Sequence, residues 1–134
     1  MAGFLPDEGE AFIADFVIKQ TQTANRGTDL ELGLFTNTGA DETLVHASVT
    51  EPSGTGYARI TLTDGSWTGS TDARSYAQQT FTAGAGGWTG TVKGYFICTK
   101  GSTKRLLALE IDGAGPYTMN ASDTYKVTPT LTLA

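Results

Sequence analysis

From Leu30 onward the chain runs in short strand-like stretches, some of them alternating apolar and polar residues, separated by glycine, asparagine, aspartate or proline. Few folds tolerate such a rhythm. Alternation with period two sends successive side chains to opposite faces of a strand, so one face of each run is assigned to a core. Leu30-Glu31-Leu32-Gly33-Leu34 alternates cleanly and ends at Asn37-Thr38-Gly39. Further strands are expected over residues 44–50, 57–63, 75–82, 91–99 and 104–111, the last two joined as a hairpin by Lys100-Gly101-Ser102. A final strand is expected to turn Tyr125, Val127, Leu131 and Leu133 to the core, and Thr124, Lys126, Thr128, Thr130 and Thr132 to solvent. Turn signals every 8 to 15 residues or so, without any strand–helix–strand spacing, give the fold class: mostly β, an antiparallel β-sandwich or jelly-roll-like domain.

One short helix precedes the strands. Asp7 follows Pro6 and is placed to cap, Glu8 and Glu10 fall in the first turn, and residues 11–18 supply an apolar body. Helical spacing gathers Phe12, Ile13, Phe16 and Val17 on one face, which must lie on the domain's own sheet or on a neighbouring subunit. Phe4 and Leu5 stand before the helix as exposed apolar groups. The domain is read as one unit over 1–134, with an arm and helix at 1–20 and strands over 28–134.

Charge removes several function classes. The net charge is −5, and the nine Lys and Arg are scattered apart from Lys104-Arg105, so no basic stripe faces nucleic acid. No apolar run approaches the roughly 18 residues that span a bilayer, so no membrane partner is expected. The acidic start does not read as a secretory signal, and synthesis and folding in a cytoplasm are expected.

Catalytic and cofactor chemistry finds little material. The single His46 is expected on a strand as a structural or solvent-facing group, without a nucleophile elbow elsewhere. The single Cys98 is expected as a buried small side chain, and one cysteine with one histidine cannot build a zinc cage. Gly84-Ala85-Gly86-Gly87 lacks the Lys-Ser/Thr of a phosphate loop and reads as a hairpin turn. Glu110 and Asp112 share a strand face and are the one carboxylate pair suited to a small hydrolase; solvated charges are the plainer account. The Asn120-Ala121-Ser122 sequon carries no weight without a secretory signal. No catalytic residue, metal ligand or cofactor is therefore expected. Trp67 and Trp88 stand in the echoing pieces Ser66-Trp67-Thr68-Gly69 and Gly87-Trp88-Thr89-Gly90, each beside a turn, where an indole can stack on a sugar or pack inward.

Taken together, the acidic start and apolar helix, Leu32-Gly33-Leu34-Phe35-Thr36-Asn37, Gly56-Tyr57-Ala58, Ser75-Tyr76-Ala77-Gln78-Gln79-Thr80-Phe81, Val92-Lys93-Gly94-Tyr95-Phe96-Ile97, Gly115-Pro116-Tyr117-Thr118 and residues 127–133 resemble the small virion structural proteins of tailed bacteriophages. The resemblance implies a particle component. The leading expectation is a capsid decoration (cement) protein that binds the outside of the head and stabilises contacts between capsid subunits. The alternative is a tail or tail-fibre component that binds host glycan. Partners would be the major capsid protein or other virion proteins and further copies of the chain, most simply as a closed trimer. The candidate interaction surface is Phe4, Leu5, Phe12, Phe16, Trp67 and Trp88.

Overall fold

A computed structural model describes residues 4–19, 21–69 and 72–133. Its centre is a four-stranded antiparallel sheet built from β1 (Leu30–Phe35), β2 (Ile60–Leu62), β5 (Gly94–Thr99) and β6 (Leu106–Ile111) in the order β2-β1-β5-β6. β3 (Ala73–Ser75) pairs with β8 (Thr130–Thr132), and β4 (Gln79–Thr82) with β7 (Thr124–Val127). These two ribbons continue one another through a Tyr76 N–H bond to the Pro129 carbonyl (2.9 Å). Between the pairs Ser75–Thr130 and Gln79–Val127 the first strand spends four steps against three on the other, so an irregularity bends the ribbon there. The architecture is mostly antiparallel β and sandwich-like, its second layer a bent ribbon instead of a broad sheet.

The main core fills the space between the layers. Leu30, Leu32 and Leu34 point into it from β1, and Ile97 from β5, to meet Phe81, Trp88, Val92, Met119 and Val127. The opposite face of the sheet is covered too. Phe35, Phe96, Cys98, Leu106 and Leu109 form a second cluster, closed by Leu44 and Val49 from the 36–52 segment. β5 is consequently buried at every position.

Several expected boundaries shift. Residues 44–50 form no strand. An Asp41-centred turn, with the Thr43 N–H on the Asp41 carboxylate (2.9 Å), leads into a single 3-10 turn at His46–Ser48. Asn37 then takes the place of a neighbouring strand, accepting the Thr50 N–H (2.8 Å) and donating to the Ser48 carbonyl (2.9 Å). The last run divides at Thr128-Pro129. Val127 and Pro129 are buried and Tyr125 and Leu131 half-buried as alternation requires, but Leu133 is 46% exposed.

At the N-terminus α1 (Asp7–Ala14) starts from Pro6, so Asp7 is the first helical residue and not the cap. The helix seats on the start of β6, and Gly9 permits the approach because a Cβ there would touch the Leu106 and Leu107 backbone. A π-helical turn, Asp15–Lys19, follows, and then the short α2 (Thr23–Arg26). Ala24 and Asn25 offer their carbonyls to the Ser102 and Gly101 N–H groups, docking α2 on the β5–β6 loop.

Candidate functional site

The expected interaction surface separates into parts with different fates. Phe12 is buried and stacks on Phe16 (centroids 5.8 Å apart), and both pack on the main core with Ile13. This helix face is therefore spent inside the domain. The π-helical turn rotates Val17 and Ile18 away from it, leaving them 67% and 79% exposed, so the assignment of Val17 to the inner face is corrected. Trp88 is also withdrawn from the surface. Its indole N–H donates to the Thr55 carbonyl (3.1 Å), and its ring meets Tyr57 edge to face inside the core. Trp67 stays half-exposed with one edge-to-face neighbour, Tyr76.

Phe4 is exposed and Leu5 half-buried; Met1 to Gly3 fall outside the described residues. Phe4 extends the sheet past β6 by one bridge: its N–H bonds the Leu109 carbonyl (2.9 Å), and its carbonyl accepts the Leu109 N–H (3.0 Å). The Asp7 N–H bonds the Glu42 carbonyl (2.9 Å). Phe4, Leu5 and the 41% exposed Ile111 then line a shallow cleft with Ala40 and residues 41–43. The described part of the arm thus presents apolar side chains at the edge of the sheet.

A second feature has no counterpart in the sequence reading. Because both faces of the sheet are covered, Glu31, which alternation sends away from the main core, lands under cover beside Cys98, and charges gather around it. Arg59 grips Glu51 through Nε and Nη2 (3.1 and 2.7 Å) and reaches Glu31 (3.2 Å) and His46 Nε2 (3.1 Å) through Nη1. Its guanidinium lies 5.1 Å from the Phe96 ring centre. Lys104 Nζ completes the pairing of Glu31 (2.9 Å). Tyr57 donates to Glu51 (2.6 Å) and accepts the Leu34 N–H (3.0 Å), serving β1 where β2 has already ended. Glu8, from the first turn of α1, accepts the His46 and Leu106 N–H groups (2.9 and 2.7 Å) and thereby ties helix, 3-10 turn and sheet together.

The protonation states follow from this setting. Burial and the neighbouring Arg59 charge hold His46 below its ordinary 6.5, against the pull of Glu8, so its Nε2 is a neutral acceptor for Arg59. Burial pushes Glu31 up, but hydrogen bonds and charge from Lys104 and Arg59 outweigh it and leave the carboxyl below its ordinary value. Burial drives the Cys98 thiol up to about 12, only partly offset by Arg59. Native Cys98 should therefore resist alkylation by iodoacetamide at pH 8 and react only after unfolding, since the thiolate is the nucleophile. Mass spectrometry with and without urea checks this; rapid labelling of the folded protein would contradict the assignment.

Glu110 and Asp112 each engage a tyrosine. Glu110 accepts the Tyr95 hydroxyl (3.0 Å) and Asp112 the Tyr125 hydroxyl (2.7 Å), so each carboxylate anchors a tyrosine near the β7–β8 side. Among the described residues no three His, Cys, Asp or Glu side chains converge to hold a metal, and no helix is long and apolar enough to cross a membrane. No family model, curated protein or solved structure matches the chain.

Proposed function

We propose that the chain is a capsid decoration protein of a tailed bacteriophage, attached to the head surface through its N-terminal arm. The observation that carries the reading is the arm itself: Phe4 pairs with Leu109 on the outer edge of β6, and Phe4 and Leu5 lie beside the exposed Ile111. A sheet edge carrying exposed apolar side chains suits extension by a strand of a neighbouring subunit. The sequence resemblance to small virion proteins supports the same reading. A domain with one buried thiol needs no disulfide, and its folding does not depend on an oxidising compartment.

Several such arms on one oligomer would engage a repeating shell together, and effective concentration raises avidity by roughly 10² to 10⁴ without new contacts. A closed symmetric oligomer, most simply a trimer, fits this better than an open one, which would grow as fibres. Deleting residues 1–6 should lower occupancy on heads at least tenfold on this avidity scale while the β domain keeps its circular dichroism. Sedimentation of the truncated protein with undecorated heads, scored by quantitative mass spectrometry, tests it. Full occupancy without the arm would remove the arm from the attachment, and recovery of the intact chain solely with tails would replace the head reading by the tail one.

A further inference from the structure

Residues 36–52 cross the second face of the four-stranded sheet as a thin cover, joined at His46 to α1 and to Arg59. We propose that this segment is an acid-operated latch: protonation of His46 lifts it from the sheet, frees the first turn of α1 and opens the cleft beside Phe4 and Leu5.

The segment is built to open apart from the core. Beneath it Phe35, Phe96, Cys98, Leu106 and Leu109 are fully buried, whereas Leu44, His46 and Val49, which close over them, are half-buried. Residues 36–52 belong to no strand, and their backbone bonds turn back on the segment itself: Thr36 to Thr50 (2.8 Å), Leu44 to Asp41 (3.1 Å) and Val49 to His46 (3.1 Å). Elements with so little buried apolar surface open at lower free energy than a core strand. His46 ties the cover down. Its N–H donates to the Glu8 carboxylate on α1 (2.9 Å), its Nε2 accepts from Arg59 (3.1 Å), and its ring meets the edge of Phe96. Nearby, the Glu42 carbonyl holds the Asp7 N–H (2.9 Å), and Ala40 with residues 41–43 walls the cleft beside Phe4 and Leu5. Lifting the cover breaks the Asp7 bond and removes that wall.

The charges around His46 set the direction. Glu8 faces it from α1, Arg59 from the residue before β2, Glu51 from its own segment and Lys104 from the β5–β6 connection, with Glu31 of β1, Cys98 of β5 and Arg105 behind them. Three carboxylates meet three cations: Arg59 pairs Glu31 and Glu51, Lys104 pairs Glu31, and Arg105 pairs Glu8. A neutral His46 leaves this network balanced. A proton on Nε2 adds one positive charge and turns the acceptor of the Arg59 bond into a second donor aimed at the same guanidinium. Glu8 and Glu51 pull the other way, yet burial and Arg59 prevail and hold His46 below its ordinary 6.5. Lifted into water, the imidazole regains its ordinary affinity for a proton. The proton therefore binds the open form better than the closed one, and opening grows as the pH falls below about 6.5. Every part of this device lies within the isolated chain, so it stands or falls apart from the decoration reading.

The test follows amide hydrogen exchange of the full chain by NMR between about pH 7 and 5.5, each rate divided by that of unstructured peptide at the same pH. His46 is the single histidine, and ordinary carboxylates titrate below this range. The His46 and Asp7 amides, bonded to Glu8 and Glu42, should lose protection about fivefold over that interval. Both should also exchange with a smaller urea dependence than the amides of β5, because lifting the cover exposes little surface. His46→Gln places an amide oxygen where Arg59 needs an acceptor but does not titrate, so its cover should stay closed and its protection should not change with pH. The His46 ring-proton titration, read in the unaltered protein, should have its midpoint below 6.5, and keeps the test valid if the variant folds poorly. A midpoint at or above 6.5 overturns the proposal, as does pH-independent protection in the wild type. Equal protection and equal urea dependence at His46 and in β5 would mean that the segment opens only with the whole domain, and also overturn it. Persistence of the pH dependence in His46→Gln would assign it to carboxylates instead, and an unchanged Asp7 amide would remove the link to α1.

Discussion

Phe96→Ala is expected to destabilise the protein by about 3–5 kcal/mol, and one methyl group added by Gly33→Ala by about 1–3 kcal/mol. The two residues are halves of one contact. Gly33 faces the second cluster from the middle of β1, opposite Phe96 on β5, and a Cβ at Gly33 would fall on the Phe96 ring with Glu51 Oε1 only 3.1 Å away. The ring has nowhere to retreat. It is fully buried, Arg59 lies over it, and His46 stands at its edge (centroids 6.4 Å apart). Removing the ring empties the centre of the second cluster and takes the support from under Arg59. If the clash dominates at Gly33, the alanine should be tolerated once the ring is gone, so the double variant should exceed the sum of the single effects by about 1 kcal/mol or more in stability. Urea midpoints at constant slope measure all three. Strict additivity would show that Gly33 serves some purpose other than admitting the ring.

Where structure is local, the sequence was readable. β1 announces itself by its alternation, and β5 and β6 as two apolar runs joined through a short glycine-containing loop. Residues 44–50 read as a weaker strand candidate, yet Asp41 captures the Thr43 N–H just before them and Asn37 the Thr50 N–H, and a 3-10 turn at His46–Ser48 takes the place of a ladder. The two Trp-Thr-Gly echoes read alike, but Trp88 finds the Thr55 carbonyl inside the core and Trp67 stops at the rim, a difference that depends on Thr55, 33 residues away. The charged network was invisible for the same reason: Glu8, Glu31, His46, Glu51, Arg59 and Cys98 meet only in the folded chain. One local sign existed, a glycine in mid-strand at Gly33, which marks a close approach of another group. A cleft beside Trp67 joins residues from Arg26 to Leu131, and of these alternation singled out Leu30 and Leu131, both as core.

Arg59→Met should cost about 2–4 kcal/mol at pH 7, because it removes one cation from two half-buried carboxylates and leaves Glu51 without its bidentate partner. The value falls toward the lower part of the range for buried pairs, since Arg59, Glu51 and Glu31 retain 22%, 23% and 14% side-chain exposure and Lys104 still pairs Glu31. Arg59→Lys should lie between wild type and Arg59→Met, as an ammonium cannot reproduce the fork on Glu51. The pH dependence separates this network from ordinary surface charge. His46 holds a proton less readily when folded than at its ordinary 6.5, and Glu31 less readily than at its ordinary 4.5, so the unfolded chain binds more protons as pH falls. Their contribution to stability is complete above those values. It should begin to fall below about pH 6.5 as the unfolded His46 protonates, and fall further below about 4.5 as Glu31 follows. In Arg59→Met both depressions shrink, since Arg59 is second only to burial for His46 and one of two cations on Glu31. The variant should therefore start from lower stability at pH 7 and lose less of it between pH 7 and 4. Urea denaturation of both proteins across that range decides the matter: parallel curves would mean that Arg59 contributes packing on Phe96 alone, with no charge linkage to His46 or Glu31.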